Sequence, residues 1–149
     1  MDQQYITPFI DSAREMLSTM LGIASEPCEP PLVTGDSISG TIFFQGESNG
    51  QVTLSFSRST AVHIVSEMVG MDEAEMDGDT LRDGVGEMAN IVAGNVKASL
   101  ASTPYKFLLS LPEIHAGDVA LPPNVDKVER GIRCDLGEFS ITFWLALAS

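Results

Sequence analysis

The chain has 149 residues with 8 Lys and Arg against 21 Asp and Glu, a formal charge of −13. Nucleic acid and anionic membranes are not expected partners, because neutralising phosphates takes clustered cations and the eight here are scattered from Arg14 to Arg133. At 44% apolar residues the chain is too hydrophobic to be disordered, and its length suits one packed domain.

Ile6, Phe9, Ile10, Ala13, Met16, Leu17, Met20 and Leu21 recur at the spacing of an amphipathic helix over residues 6–21. Thr7 before Pro8 opens it, and Gly22 is a natural stop. The proline-rich EPCEPP reads as a turn. LVTG, SISGTIFFQ and QVTLSFS follow as strands, the last two joined by the turn-forming GESNG. A second helix, over 59–69, is apolar at Ala61, Val62, Ile64, Val65, Met68 and Val69 and stops at Gly70, before the acidic MDEAEMDGD. The longest helix runs from about Thr80 to Ala101, and YKFLLSLPEI, VERGIRCDL and FSITFWLALA read as three more strands.

A helix followed by three strands thus occurs twice, at about 5–57 and 80–147, joined by the short helix and the acidic linker. Glu15 and Glu87 each precede a glycine by seven residues, Gly35-Asp36 recurs as Gly117-Asp118, and GQVTLSF has a counterpart in GEFSITF. The expected fold over 1–149 is α+β. Duplicated units of a helix plus three antiparallel strands form one pseudo-twofold sheet, with the long helices on one face.

On a wheel of about 100° per residue, Leu81, Val85, Met88, Ala89, Val92, Val96 and Leu100 form the apolar arc of the long helix. The opposite arc carries Asp83, Glu87, Asn90, Gly94, Ala98 and Ala101. A merely solvated face favours long polar side chains, and a helical glycine costs about 1 kcal/mol relative to alanine. Past Asp83, this face is instead stripped to small residues around one acid and one amide, Glu87 and Asn90, as a docking ridge would be. The alternative is that Gly86, Gly94 and the alanines admit another element of the same fold or a second copy. The pair lacks the activated nucleophile of a covalent hydrolase. An amide has both donor and acceptor, so Asn90 can hold a water without changing protonation state, while Glu87 can meet a lysine.

The segment GEMANIVAGNVKASL is similar to the ExxN helix of the CheC/CheX chemotaxis phosphatases: Glu87, two residues, Asn90, and a glycine four further on, Gly94. YITPFIDSAREMLSTM, SGTIFFQG and the closing apolar strand carry the resemblance over most of the chain, and it points to the CheX type. The resemblance implies dephosphorylation of a phosphorylated CheY-like response regulator. Asn90 would orient the attacking water and Glu87 would dock to the regulator's lysine. Asp83, Gly94 and Ala98 would line the contact. No cofactor is expected on this chain, magnesium being held by the partner receiver domain. In the first helix Glu15-Met16-Leu17-Ser18 has serine in place of the amide, so one working site per chain is expected. A homodimer is implied too, and FSITFWLALAS, an aggregation risk as a bare edge, would pair across it. A different class of function is a noncatalytic adaptor that binds a receiver through the same face. Asn90 separates the two, since an adaptor needs no water-orienting amide there.

No stretch approaches the roughly 18 apolar residues of a membrane span, and MDQQYITPFIDS has neither a basic start nor an apolar signal core; a cytoplasmic protein is expected. Cys28 and Cys134 are read as reduced thiols, Cys134 as a small core residue. Neither histidine has a zinc-like spacing to them, so no metal is expected. Asp72, Glu73, Glu75, Asp77 and Asp79 do not match a calcium loop and suit a helix entry instead. His63 is read as structural, His115 as a loop residue, and Met16, Met20, Met68, Met71 and Met88 as packing residues.

Overall fold

The structure, a computed structural model, describes residues 7–31, 36–46, 48–100, 107–117 and 127–147. Helix α1 (Thr7–Leu21) has Pro8 in its first turn, where a missing N–H costs nothing, and buries Phe9, Ile10, Ala13, Met16 and Leu17. It ends at Gly22, whose φ of 66° suits glycine. Strand β1 (Ser25–Cys28) then forms within the stretch expected to be a turn. It lies at one edge of the sheet, the place where a strand proline is tolerated. The expected LVTG strand falls outside the described residues. Strands β2 (Ser37–Gly46) and β3 (Ser48–Ser57) lead into α2 (Arg58–Val69), capped by the Ser57 hydroxyl, which accepts the Thr60 N–H, and closed by left-handed Gly70. A 3-10 turn, Glu73–Glu75, precedes α3 (Gly78–Leu100), and β4 (Phe107–Leu109), β5 (Glu113–Ala116), β6 (Lys127–Cys134) and β7 (Gly137–Leu147) complete the chain.

All strand pairs are antiparallel, in the order β1-β6-β7-β3-β2-β4, with β5 also on β2. That order is a palindrome when the first helix-and-strands unit is exchanged for the second. At its centre Leu54 faces Ile141, flanked by Val52 on Phe143 and Phe56 on Phe139. Aligning GQVTLSF with GEFSITF makes Leu54 and Ile141 equivalent, so a twofold axis through that pair relates the flanking pairs. Strand β7 is therefore interior, between β6 and β3. The expectation that it is an exposed edge to be paired across a dimer is wrong, because β6 of its own unit and β3 of the other unit already take its two sides.

Side chains alternate across the sheet. Ile38, Ile42, Phe44, Val52, Leu54, Phe56, Phe139, Ile141 and Phe143 join the buried faces of the three helices in one core, where Phe9 stacks obliquely on Phe44 and Phe143 at 5.6 and 5.2 Å. The other face is a Ser/Thr ladder, with Thr41 on Thr53 at 2.9 Å and Ser39 on Ser55 at 3.0 Å. Met16 and Met88 are buried, but Met20 is 42% exposed and not a packing residue; Leu21 takes the inward position in the last turn of α1.

The run YKFLLSLPEI, expected as one strand, is broken into β4 and β5. Both pair with β2, Leu109 opposite Phe44 and Glu113 opposite Thr41. Between these pairs two residues of β2, Ile42 and Phe43, face three, Ser110, Leu111 and Pro112. That two-against-three count is a β-bulge.

Candidate functional site

Helix α3 is held along its length by contacts that leave one arc free. Its start is capped by Asp77, whose carboxylate accepts the Thr80 N–H at 2.6 Å. That bond from the Thr80 backbone, then its side chain, holds the Asp77 carboxyl below its ordinary range. The acidic stretch is thus a helix entry, as expected. In the middle, Gly84 lies against Val65 of α2: a Cβ there would sit 2.5 Å from a Val65 methyl. Gly40 of β2 leaves room for Val85 and Ala89, 3.2 and 3.3 Å from where its own Cβ would be. Gly86 faces Pro112 and Ile114 at 3.6 Å. From the other side the buried Ser12 of α1 donates its hydroxyl to the Val92 carbonyl at 2.9 Å.

The helix therefore presents a fixed outer face. Leu81, Val85, Met88, Ala89, Val92 and Val96 are buried, whereas Asp83, Glu87, Asn90, Gly94 and Ala98 are exposed. The side chain of Leu100 and residue Ala101 lie outside what is described. At about 100° per residue the five exposed positions fall within an arc of about 80°, with Gly94 between Glu87 and Asn90. Nothing lies within 4 Å of where a Gly94 Cβ would be, so this glycine is not spent on packing within the chain. The alternative of internal packing holds instead for Gly86. Neither Glu87 nor Asn90 has a hydrogen-bond or ion-pair partner among the described residues. The arrangement is a rigid ridge with a free carboxylate and a free amide one turn apart, open to a partner.

Helix α1 runs antiparallel beside α3, since Ser12 meets Val92 while Thr7 and Pro8 lie with Asn95. Glu15 and Ser18 are exposed on it. A hydroxyl thus stands at the place in α1 that corresponds to Asn90.

The other candidates resolve into structural roles. His63 bridges the Leu136 carbonyl through Nδ1 at 3.3 Å and the Glu73 carboxylate through Nε2 at 3.2 Å, so it ties α2 to the β6–β7 hairpin and the 3-10 turn. His115 is not in a loop; it lies in β5, opposite Ser39, because that segment pairs as an outer strand. Cys134 is half-buried at the β6–β7 hairpin rather than fully in the core, with its thiol 3.5 Å from the Gly137 carbonyl. Cys28 is half-buried, and burial followed by the charge of Glu138 pushes its thiol above the ordinary value, away from nucleophilic use. Among the described residues no His, Cys, Asp and Glu group could hold a metal ion, and no helix is long and apolar enough to cross a membrane. Ser12 and Gly84 were not legible as site neighbours, because their roles rest on contacts between distant segments.

The family model for the chemotaxis phosphatase CheX matches residues 38–130. The chain is 29% identical over 104 residues, 67% of each chain, to the CheY-P phosphatase CheX of Thermotoga maritima. Its structure matches a CheC-like superfamily protein from Shewanella sp. PV-4 with a TM-score of 0.82 at 25% identity, covering 97% of this chain and 99% of that one. It shares its fold with the CheX of the CheX–CheY–BeF3–Mg complex from Borrelia burgdorferi, with a TM-score of 0.74 at 21% identity, over 95% and 97% of the two chains.

Proposed function

The chain belongs to the CheX chemotaxis phosphatase family, and from that premise we propose that it hydrolyses the aspartyl phosphate of a CheY-like response regulator, using the outer face of α3. The observation that carries the reading is the exposed, partnerless amide of Asn90 on a helix fixed from both sides, one turn from the equally free carboxylate of Glu87. Docked on a receiver, Glu87 pairs with the receiver's active-site lysine, and the Asn90 amide accepts from and donates to a water held in line with the phosphorus. Water oxygen bonds to phosphorus as the bond to the aspartyl oxygen breaks. The carboxylate leaves with the electron pair, and inorganic phosphate carries away the water's protons. Such a transfer is governed by positioning and electrostatics, which suits a site with no nucleophile of its own. Asp83, Gly94 and Ala98 line the contact, and the magnesium is the receiver's.

The named relatives support this reading: one is called a CheY-P phosphatase, and another was captured with CheY, BeF3 and magnesium. Ser18 leaves α1 without the amide, so one face per chain works. We expect the protein in the cytoplasm, as a homodimer joined through a surface other than the interior β7. The test is the rate at which purified protein releases phosphate from phosphorylated receivers, compared with Asn90→Ala. A variant as active as the wild type would remove the proposed mechanism.

A further inference from the structure

Among the described residues, five large hydrophobic side chains are exposed, and three of them, Phe43, Leu108 and Leu111, sit together where β2 meets the bulged outer strand. Leu111 is the extreme, 83% exposed. It belongs to the three residues that face two of β2, so the bulge, a device that re-aims side chains at sheet edges, is what turns it outward. The bulge is locked. The Ser110 N–H donates to the Phe43 carbonyl at 3.0 Å, the Ser110 hydroxyl accepts the Phe43 N–H at 3.0 Å, and that hydroxyl lies 2.9 Å from the Leu111 carbonyl. A leucine whose backbone is already held gives up only side-chain freedom on being covered.

Its place in the fold says what covers it. Pro112, the next residue, packs against Gly86 of α3, and Gly86 immediately precedes Glu87. Leu111 and Glu87 are thus each one residue from the same contact. A standard interface, roughly 800 Å² per partner or a disc of about 16 Å radius, centred on Glu87 and Asn90 extends past the Pro112–Gly86 contact to the edge that carries Leu111. Charge favours a different protein over a second copy. Asp83 and Glu87 lie on the exposed arc of α3 in a chain of net charge −13, and a self-contact through that arc would gather those acids twice.

We propose that Leu111 is an apolar anchor for the receiver docked on α3, seated in a hydrophobic pocket of the partner beside the lysine that meets Glu87. The inference rests on the phosphatase reading and adds a second, affinity-setting contact outside the reacting centre. Such a contact acts equally on ground and transition states, so it lowers KM without raising kcat.

Steady-state dephosphorylation by Leu111→Ala and Asn90→Ala, with calorimetric binding to the same receiver and sedimentation of each variant, tests it. Leu111→Ala is expected to raise KM and Kd about tenfold with kcat within about twofold, the size of a lost apolar anchor, and to melt as the wild type does. Leu111→Met should restore most of the affinity. An unchanged KM in Leu111→Ala beside an inactive Asn90→Ala overturns the anchor and leaves the phosphatase reading standing. A fall in kcat alone, or a change of oligomeric state, also overturns it. Should wild-type protein neither bind nor dephosphorylate receivers, both readings fail together.

Discussion

Ser12 and Val92, eighty residues apart, are joined by a buried hydrogen bond in which the α1 hydroxyl donates to the α3 main-chain carbonyl at 2.9 Å. The acceptor lies two residues beyond Asn90, so the bond fixes how α3 sits on α1 and hence how its outer arc is presented. Ser12→Ala removes the donor and leaves the carbonyl its helical partner. The expected loss is about 1 kcal/mol of stability, read as a lower urea midpoint at unchanged slope, with a drop in dephosphorylation much smaller than that of Asn90→Ala.

Asn90→Ala should keep the wild-type melting temperature, since the side chain is exposed and touches no described partner. Removing one positioned polar group from a reacting centre commonly costs about 3 kcal/mol of transition-state stabilisation, so kcat is expected to fall roughly 100-fold. Single-turnover release of phosphate from a labelled receiver measures it.

Glu87→Lys should act chiefly on association. Replacing the carboxylate by an ammonium sets like charges together if a lysine waits on the partner, and the penalty should shrink with added salt. Affinity measured at low and high ionic strength gives the sign; equal affinities for wild type and Glu87→Lys at low salt would exclude the ion pair.

Two glycines of one helix should respond to alanine with opposite signs. At Gly94 the space is open, so Gly94→Ala should stabilise by up to about 1 kcal/mol, and Gly94→Arg should fold yet fail to bind a receiver. At Gly84 the new methyl would meet Val65 at 2.5 Å, an overlap costing about 1–3 kcal/mol that outweighs the propensity gain. Thermal melts of the pair decide it.

The Asp77 cap should show in the pH dependence of stability. Its carboxyl is held below the ordinary 3.8 by the Thr80 bonds, so the stabilisation is present above that value and lost as pH falls through the lower folded value. The difference in melting temperature between wild type and Asp77→Ala should therefore narrow between pH 7 and about pH 3.

The outer face of α3 is legible in the sequence. Glu87, Asn90 and Gly94 share an arc because helical periodicity is local, and the small residues Gly94 and Ala98 at exposed positions of a long helix mark that arc as unusual. The duplicated helix-and-strands order was legible for the same reason, each unit carrying its own periodicities. Tertiary structure alone decided which glycine is packed and which is open, since Gly84 and Gly94 look alike until Val65 of α2 arrives at one of them. Pairing between distant segments likewise made a strand of SEPC and placed β7 inside the sheet. It also made Leu111 part of a bulge: in YKFLLSLPEI that leucine reads as one more strand residue, and only the mismatch of two residues against three on β2 turns it out to solvent. Register and burial are properties of two segments at once, and the periodicity of either one alone does not contain them.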